Sequence, residues 1–180
     1  MGCIFGDDGL ENGIKVMTSS IMRNPVKSTF GKAKAVANYL NSQMAKYEAI
    51  ESGFQEALLL DDSGFAAEGS GECLFIIRDE KLISPPNDNS LESITQDTVL
   101  QLASEMGIEI ERRNITRDEI YICDEAFFTG TAAEVTPINS LDHRVIGDGK
   151  RGEMTKKLQS AYFDVVYGRN DKYKQHLTYI

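Results

Sequence analysis

Of the 180 residues none is tryptophan, four are proline, three are cysteine and two are histidine. Each scarcity closes a class of explanation. Cys3, Cys73 and Cys123 form no Cys-x-x-Cys spacing and no even framework, which argues against a disulfide scaffold and fits a reducing cytoplasm. His143 and His176 are too widely separated to read as a metal-ligand pair, so no metal site is expected. Basic residues are in deficit, with 19 Lys and Arg against 28 Asp and Glu and a formal net charge of -9. That field disfavours nucleic acid and anionic membrane as partners, so any bound phosphate must be held by a local site. Long apolar runs are missing too: no stretch approaches a membrane span. The opening Met1-Gly2-Cys3-Ile4-Phe5-Gly6, followed by two aspartates, is no signal peptide. What is present is 41% hydrophobic and 26% charged, a globular balance that suits a single domain over residues 1–180.

Periodicity divides the chain into strands and helices. Residues 13–18 alternate as a strand, and residues 35–51 turn helical, with Ala37, Leu40, Met44, Tyr47 and Ile50 at helix spacing and Gly53 placed to end the run. Residues 56–60 read as a short buried strand that enters an Asp61-Asp62-Ser63-Gly64 turn. Residues 73–77 and 81–83 flank Asp79-Glu80 as a hairpin. A helix is expected over 95–106, ended by Gly107, and a half-exposed strand over 108–111. Thr116-Arg117-Asp118-Glu119 fits a capping box, residues 125–129 a strand, and residues 153–166 a last helix burying Met154, Leu158, Ala161, Tyr162 and Val165. Clustered strands with helices between them give a mixed α+β fold.

Three segments have the composition that chemistry needs. Lys34 lies among Ala33, Ala35, Val36 and Ala37, a small apolar setting that favours a neutral amine nucleophile, and Tyr39 follows five positions later. Taken alone, Tyr39 reads more readily as a core residue of the helix than as a site residue. Glu68 opens Glu68-Gly69-Ser70-Gly71-Glu72. As a plain turn, this segment would use its glycines for positive φ. As a site, its small residues would let a flat ring approach while Glu68 meets a protonated ring nitrogen. Thr129-Gly130-Thr131-Ala132-Ala133 offers amides and hydroxyls without bulk, the make-up of a phosphate or carboxylate cradle. Ile94-Thr95 at a helix start offers the same, although Thr95 is equally explained as an N-cap. An amine, a phenol, a ring-facing acid and an anion cradle are together what pyridoxal phosphate requires. Cys73 and Cys123 read as core-filling thiols.

These segments, with Asn38-Tyr39-Leu40, residues 61–72 and 124–137, Val145-Ile146-Gly147-Asp148-Gly149-Lys150 and the terminal Leu177-Thr178-Tyr179-Ile180, resemble the class IV pyridoxal phosphate enzymes, and most closely the branched-chain amino acid aminotransferases. The resemblance implies the large C-terminal cofactor-binding domain of the D-amino-acid-aminotransferase-like fold, with the N-terminal small domain absent. It implies that Lys34 carries pyridoxal 5'-phosphate as a Schiff base, that Tyr39 meets the ring oxygen and Glu68 the ring nitrogen, and that Ile94, Thr95 and Thr131 bind the phosphate. Thr131 and Ala132 would receive the substrate carboxylate. The implied reaction moves the amino group of leucine, isoleucine or valine to 2-oxoglutarate. The implied partners are branched-chain amino acids, 2-oxo acids, and a second copy in a homodimer or a complementing N-terminal chain. A truncated, non-catalytic cofactor-binding or dimerising module is the alternative, as is an aminodeoxychorismate lyase of the same fold.

Five positions depart from the family pattern. Val36-Ala37 stand where a glycine pair is common, Glu92 and Ser93 where Pro-Gly is usual before Ile94-Thr95, and Cys73 where asparagine is usual. Ser93 is expected to crowd the phosphate loop and Glu92 to put negative charge near it. Arg23 is near the lysine in sequence, but no motif marks it as a phosphate ligand.

Overall fold

The computed structural model describes residues 3–178. Met1, Gly2, Tyr179 and Ile180, and with them the outer ends of the two terminal segments read above, lie outside the described residues. In chain order the elements are helix α1 (Gly6–Asn12), strand β1 (Ile14–Thr18), α2 (Tyr39–Glu51), β2 (Glu56–Leu60), β3 (Ala66–Gly69), β4 (Cys73–Arg78) and β5 (Lys81–Ser84). They continue with α3 (Ile94–Glu105), β6 (Ile110–Arg112), α4 (Arg117–Tyr121), β7 (Glu125–Gly130), β8 (Glu134–Leu141), β9 (Arg144–Val145) and α5 (Glu153–Val166). The strands form one mixed sheet in the order β3-β2-β1-β8-β7-β4-β5-β6, with β9 added to β8. This is the mixed α+β architecture expected from the sequence.

One connection sets the shape of the sheet. β3 is an edge strand and β4 lies five places along, yet only residues 70–72 join them. The Gly69 amide donates to the Glu72 carbonyl at 2.7 Å across this turn. A flat sheet would hold the two strands several strand spacings apart. The sheet therefore curls until its β3 edge stands beside β4. Alternation along β4 fills both sides of the curl: Leu74 and Ile76 join Ile14, Val16, Leu58 and Phe128 inside, while Phe75 and Ile77 lie outside under α3 and α5. A smaller cluster of Ala45, Ala49, Phe54, Ala57 and Leu59 seats α2 on β2.

Several local expectations are met. The hairpin between β4 and β5 turns at Asp79 and Glu80, both in the left-handed region (φ 51 and 61), as a two-residue hairpin matched to sheet twist requires. The Thr116 side chain accepts the Glu119 amide and starts α4. In α5, Leu158, Tyr162 and Val165 are buried as read; Met154 and Ala161 are half-buried, and Thr155 and Gln159 take the remaining buried positions. Other expectations are corrected. The segment 35–51 is a 3₁₀ turn, Val36–Asn38, before it becomes α2. Its apolar stripe faces outward: Leu40, Met44, Tyr47 and Ile50 are exposed, and Ser42, Ala45 and Ala49 face the sheet. Small residues there let the helix axis come close to β2. The strand read at 108–111 begins at Ile110, because Gly107 (φ 73) and Ile108 close α3, whose Ala103 carbonyl accepts the Ile108 amide. β3 and β8 had no sequence reading as strands.

Phe128 is fully buried, and its ring lies 3.1 Å from where a Cβ on Gly69 would stand. Phe128→Ala should cost about 3–5 kcal/mol of stability. The check is a lower midpoint of chemical unfolding at unchanged slope.

Candidate active site

The curl leaves an open pocket at the rim where the β3–β4 turn, the end of β7 and the segment between β1 and α2 meet. Its lining includes Lys34, Tyr39, Glu68 and Thr131, four residues that the sequence spreads over almost a hundred positions. The chain shapes it locally. The Asn38 side chain donates through Nδ2 to the carbonyls of Ala33 (3.0 Å) and Phe30 (3.2 Å), which folds the loop carrying Lys34 back on itself. Lys34 is exposed, as are Ala33, Ala35, Val36 and Ala37, so the desolvated setting expected from these residues is not formed by the described residues. Tyr39 opens α2 and is 38% exposed, which corrects its reading as a core side chain.

Glu68 is buried on β3, and its partner is a residue that the sequence did not single out. The Arg23 guanidinium, itself buried, pairs with Glu68 Oε1, and the Leu91 amide donates to Oε2 at 3.2 Å. Burial pushes the Glu68 carboxyl above its usual range, opposed by Arg23, the Leu91 amide and more distantly Lys34. Arg23 is brought there by β2 and α2. Its amide donates to the Leu60 carbonyl at 2.8 Å, and the Ser19 hydroxyl and the Ser20 amide (3.0 Å) both donate to Glu48 of α2. Burial works against the charge of Glu48, yet these donors outweigh it and hold the carboxyl below its usual range.

The glycine-rich turn works by space. Neither Gly69 nor Gly71 has positive φ. A Cβ on Gly69 would stand 2.7 Å from Glu72 Oε2, whereas one on Gly71 would meet nothing within 4 Å. Gly71 is thus an open floor, as a ring-approach reading requires. Thr129 is fully buried with an unpartnered hydroxyl in the pocket lining, and Arg23 Nη1 is likewise buried and unpartnered among the described residues.

The remaining expected residues lie at or beyond the rim. Ser93 is the N-cap of α3, accepting the Gln96 amide, so it organises the helix start and Thr95 is not the cap. Thr95 is buried. Ile94 is exposed, and neither residue lines the pocket, although Leu91 and Ser93 do. Ala132 lies outside the lining, and its carbonyl accepts the Ile4 amide at 2.9 Å. Glu92 is paired with Lys32 at 3.1 Å, which offsets its charge at the loop. Burial raises the thiols of Cys73 and Cys123 to about 12, which agrees with their reading as inert core residues.

Removing Arg23 strands a buried acid. Arg23→Met should lose about 3–5 kcal/mol of stability near neutral pH. Adding Glu68→Gln should recover part of that loss, because no charge is then left unpaired. A double-mutant cycle by urea unfolding measures the coupling, and additive losses would show that the pair contributes nothing.

Comparison with known proteins follows the same outline. The family model for amino-transferase class IV matches residues 7–141. A branched-chain-amino-acid aminotransferase of Pseudomonas aeruginosa is 49% identical over 179 residues, covering 99% of this chain and 58% of that protein. The one from Escherichia coli K12 is 40% identical over 171 residues, covering 94% of this chain and 55% of its own length. A crystal structure of the T.th. branched-chain amino acid aminotransferase with pyridoxamine 5'-phosphate superposes with a TM-score of 0.95 at 44% identity, over 99% of this chain and 59% of that one. The chain thus spans little more than half the length of these relatives. With three quarters of its residues under the family model and the fold matched throughout, the chain belongs to the class IV aminotransferases.

Proposed function

We propose that residues 1–180 form the cofactor-bearing domain of a branched-chain amino acid aminotransferase. Its reaction would transfer the amino group of leucine, isoleucine or valine to 2-oxoglutarate, with pyridoxal 5'-phosphate attached at Lys34. The observation that carries this reading is the convergence of Lys34, Tyr39, Glu68 and Thr131 on one pocket in a chain whose relatives bear that name.

The residues present fit the cofactor. The pocket offers an accessible amine, a phenol, a buried acid and an open floor at Gly71. Arg23 Nη1 and the Thr129 hydroxyl, both buried, lack partners among the described residues, as groups awaiting a polar ligand do. Glu68 would face the ring nitrogen and Tyr39 the ring oxygen. Thr131 and the amides of Ile94 and Thr95 would hold the phosphate, at a helix start where the dipole favours an anion. The amides of Thr131 and Ala132 would take the substrate carboxylate. When bound, pyridoxal phosphate supplies the electron sink for charge developing at the substrate Cα. Lys34 Nζ then moves the proton at that carbon, and Arg23 keeps Glu68 placed and charged while it does so.

Pyridoxal phosphate followed by borohydride should fix one cofactor on the Lys34 peptide. Lys34→Ala should abolish that label and lower turnover by more than about 10²-fold. Glutamate formed from leucine and 2-oxoglutarate identifies the transaminase, and pyruvate released from aminodeoxychorismate would identify a lyase instead. No capture at saturating cofactor would leave the non-catalytic module as the function.

The outward face of α2 bears on the partner. Leu40, Met44, Tyr47 and Ile50, with Val36 at 88% and Phe30 at 89% exposure nearby in sequence, leave large apolar side chains in water beside the pocket. We read this face as covered by a second copy of the chain. Sedimentation should show self-association that Leu40→Glu with Met44→Glu abolishes. A monomer at all concentrations would overturn the homodimer and favour a complementing N-terminal chain.

A further inference from the structure

Beneath the pocket lie three buried carboxyl groups, and two of them have cations. Glu68 is paired with Arg23, and Glu56, fully buried at the start of β2, accepts Lys46 Nζ of α2 at 2.6 Å. Glu72, 6% exposed and lining the pocket, has no basic side chain within ion-pair distance among the described residues. Among the described residues, its Oε2 accepts only the Gly71 amide, at 3.0 Å. The charged groups acting on it from neighbouring elements are Glu56 of β2, Lys46 of α2 and Glu68 of β3, with Arg23 behind Glu68 and Lys34 across the pocket. Lys34 belongs to the ligand in the reading above, so the fixed floor has one more acid than it has cations. A buried carboxylate without a partner keeps its proton. The unpartnered, fully buried Thr129 hydroxyl in the same lining is a second sign that this floor is arranged for a polar ligand.

We propose that Glu72 is held as the neutral acid and acts as a positioning residue of the pocket, so that the pocket lining presents one carboxylate, that of Glu68, and not two. This rests on the aminotransferase reading for its purpose. The phosphate and the carboxylates of that reaction are all anions, and an ionised Glu72 would repel each of them while adding nothing that Glu68 does not already give a ring nitrogen. Burial first and the neighbouring Glu56 second raise the Glu72 carboxyl to about 8, opposed by the Gly71 amide and Lys46. The adjacent Cys73 thiol, raised to about 12, does not titrate in that range.

The sign of the pH effect follows. The folded chain holds the proton more tightly than the unfolded chain, so this stabilisation is complete below the ordinary carboxylate range and is lost as pH rises towards about 8. Glu72→Gln mimics the neutral acid. Without added cofactor, the variant and the parent should melt together near pH ~4.5. The variant should gain Tm over the parent steadily up to about pH 8, then keep a constant lead. Parallel curves would overturn the proposal. Independently of any variant, the parent should show an infrared carboxylic-acid band at about pH 7 that disappears above about pH 9, and its absence would also overturn it. With pyridoxal phosphate as probe, parent affinity should fall several-fold relative to Glu72→Gln as pH passes about 8. An unchanged ratio would remove the positioning role. Failure of both proteins to bind the cofactor would instead sink the aminotransferase reading, because the melting and infrared results stand without it.

Discussion

A guanidinium buried against a carboxylate, Arg23 against Glu68, ties together three parts of the chain at the floor of the pocket. Arg23 arrives from the segment after β1, Glu68 is on the curled edge strand, and the Leu91 amide that completes the carboxylate precedes α3. Two charges out of water are stabilising only when their geometry is fixed and their remaining lone pairs are met. The surrounding bonds supply that: Leu60 holds the Arg23 backbone, and Glu48 holds Ser19 and Ser20 just before it. Loosening any of these would leave an acid buried at the floor with nothing to balance it.

The short β3–β4 turn is the geometric counterpart of that pair. Because residues 70–72 bridge strands separated by most of the sheet, the sheet has to curl, and its concave rim becomes the pocket. The same turn has to be narrow where Gly69 passes Phe128 and Glu72, and empty above Gly71. One glycine is therefore there for packing and the other for ligand space. Neither is there for backbone conformation, which is the role a turn composition suggests.

Much of this was legible in the sequence. Strands β1, β2, β4 and β7 and helices α3 and α5 announce themselves by period, and Lys34, Tyr39, Glu68 and Thr131 by residue type and spacing. What was hidden has physical causes. β8 carries Pro137 in mid-strand, which argues against a central strand; it is tolerated because the β1–β8 ladder has its first pair at Ile14 and Ile138, beyond the proline. β3 is too short for a period. Arg23 is a lone arginine with no spacing signal, and only the fold shows that it faces an acid 45 positions away. Helix α2 misled because its small residues, and not its large ones, face the sheet.

That inversion in α2 connects fold to function. A helix normally buries its large apolar side chains and shows its small and polar ones. Here Ser42, Ala45 and Ala49 are inside, and Leu40, Met44, Tyr47 and Ile50 are in water. The loop carrying Lys34 runs directly into this helix and is exposed along residues 32–37. Chemistry at an amine depends on excluding water and on orienting the substrate, and the described residues supply a floor and walls for the pocket but no cover. An uncovered amine and an uncovered apolar helix face on consecutive stretches of chain are two signs of one requirement. Whatever shields the first must rest on the second, so burial of the α2 face and exclusion of water from Lys34 have to be achieved by the same contact.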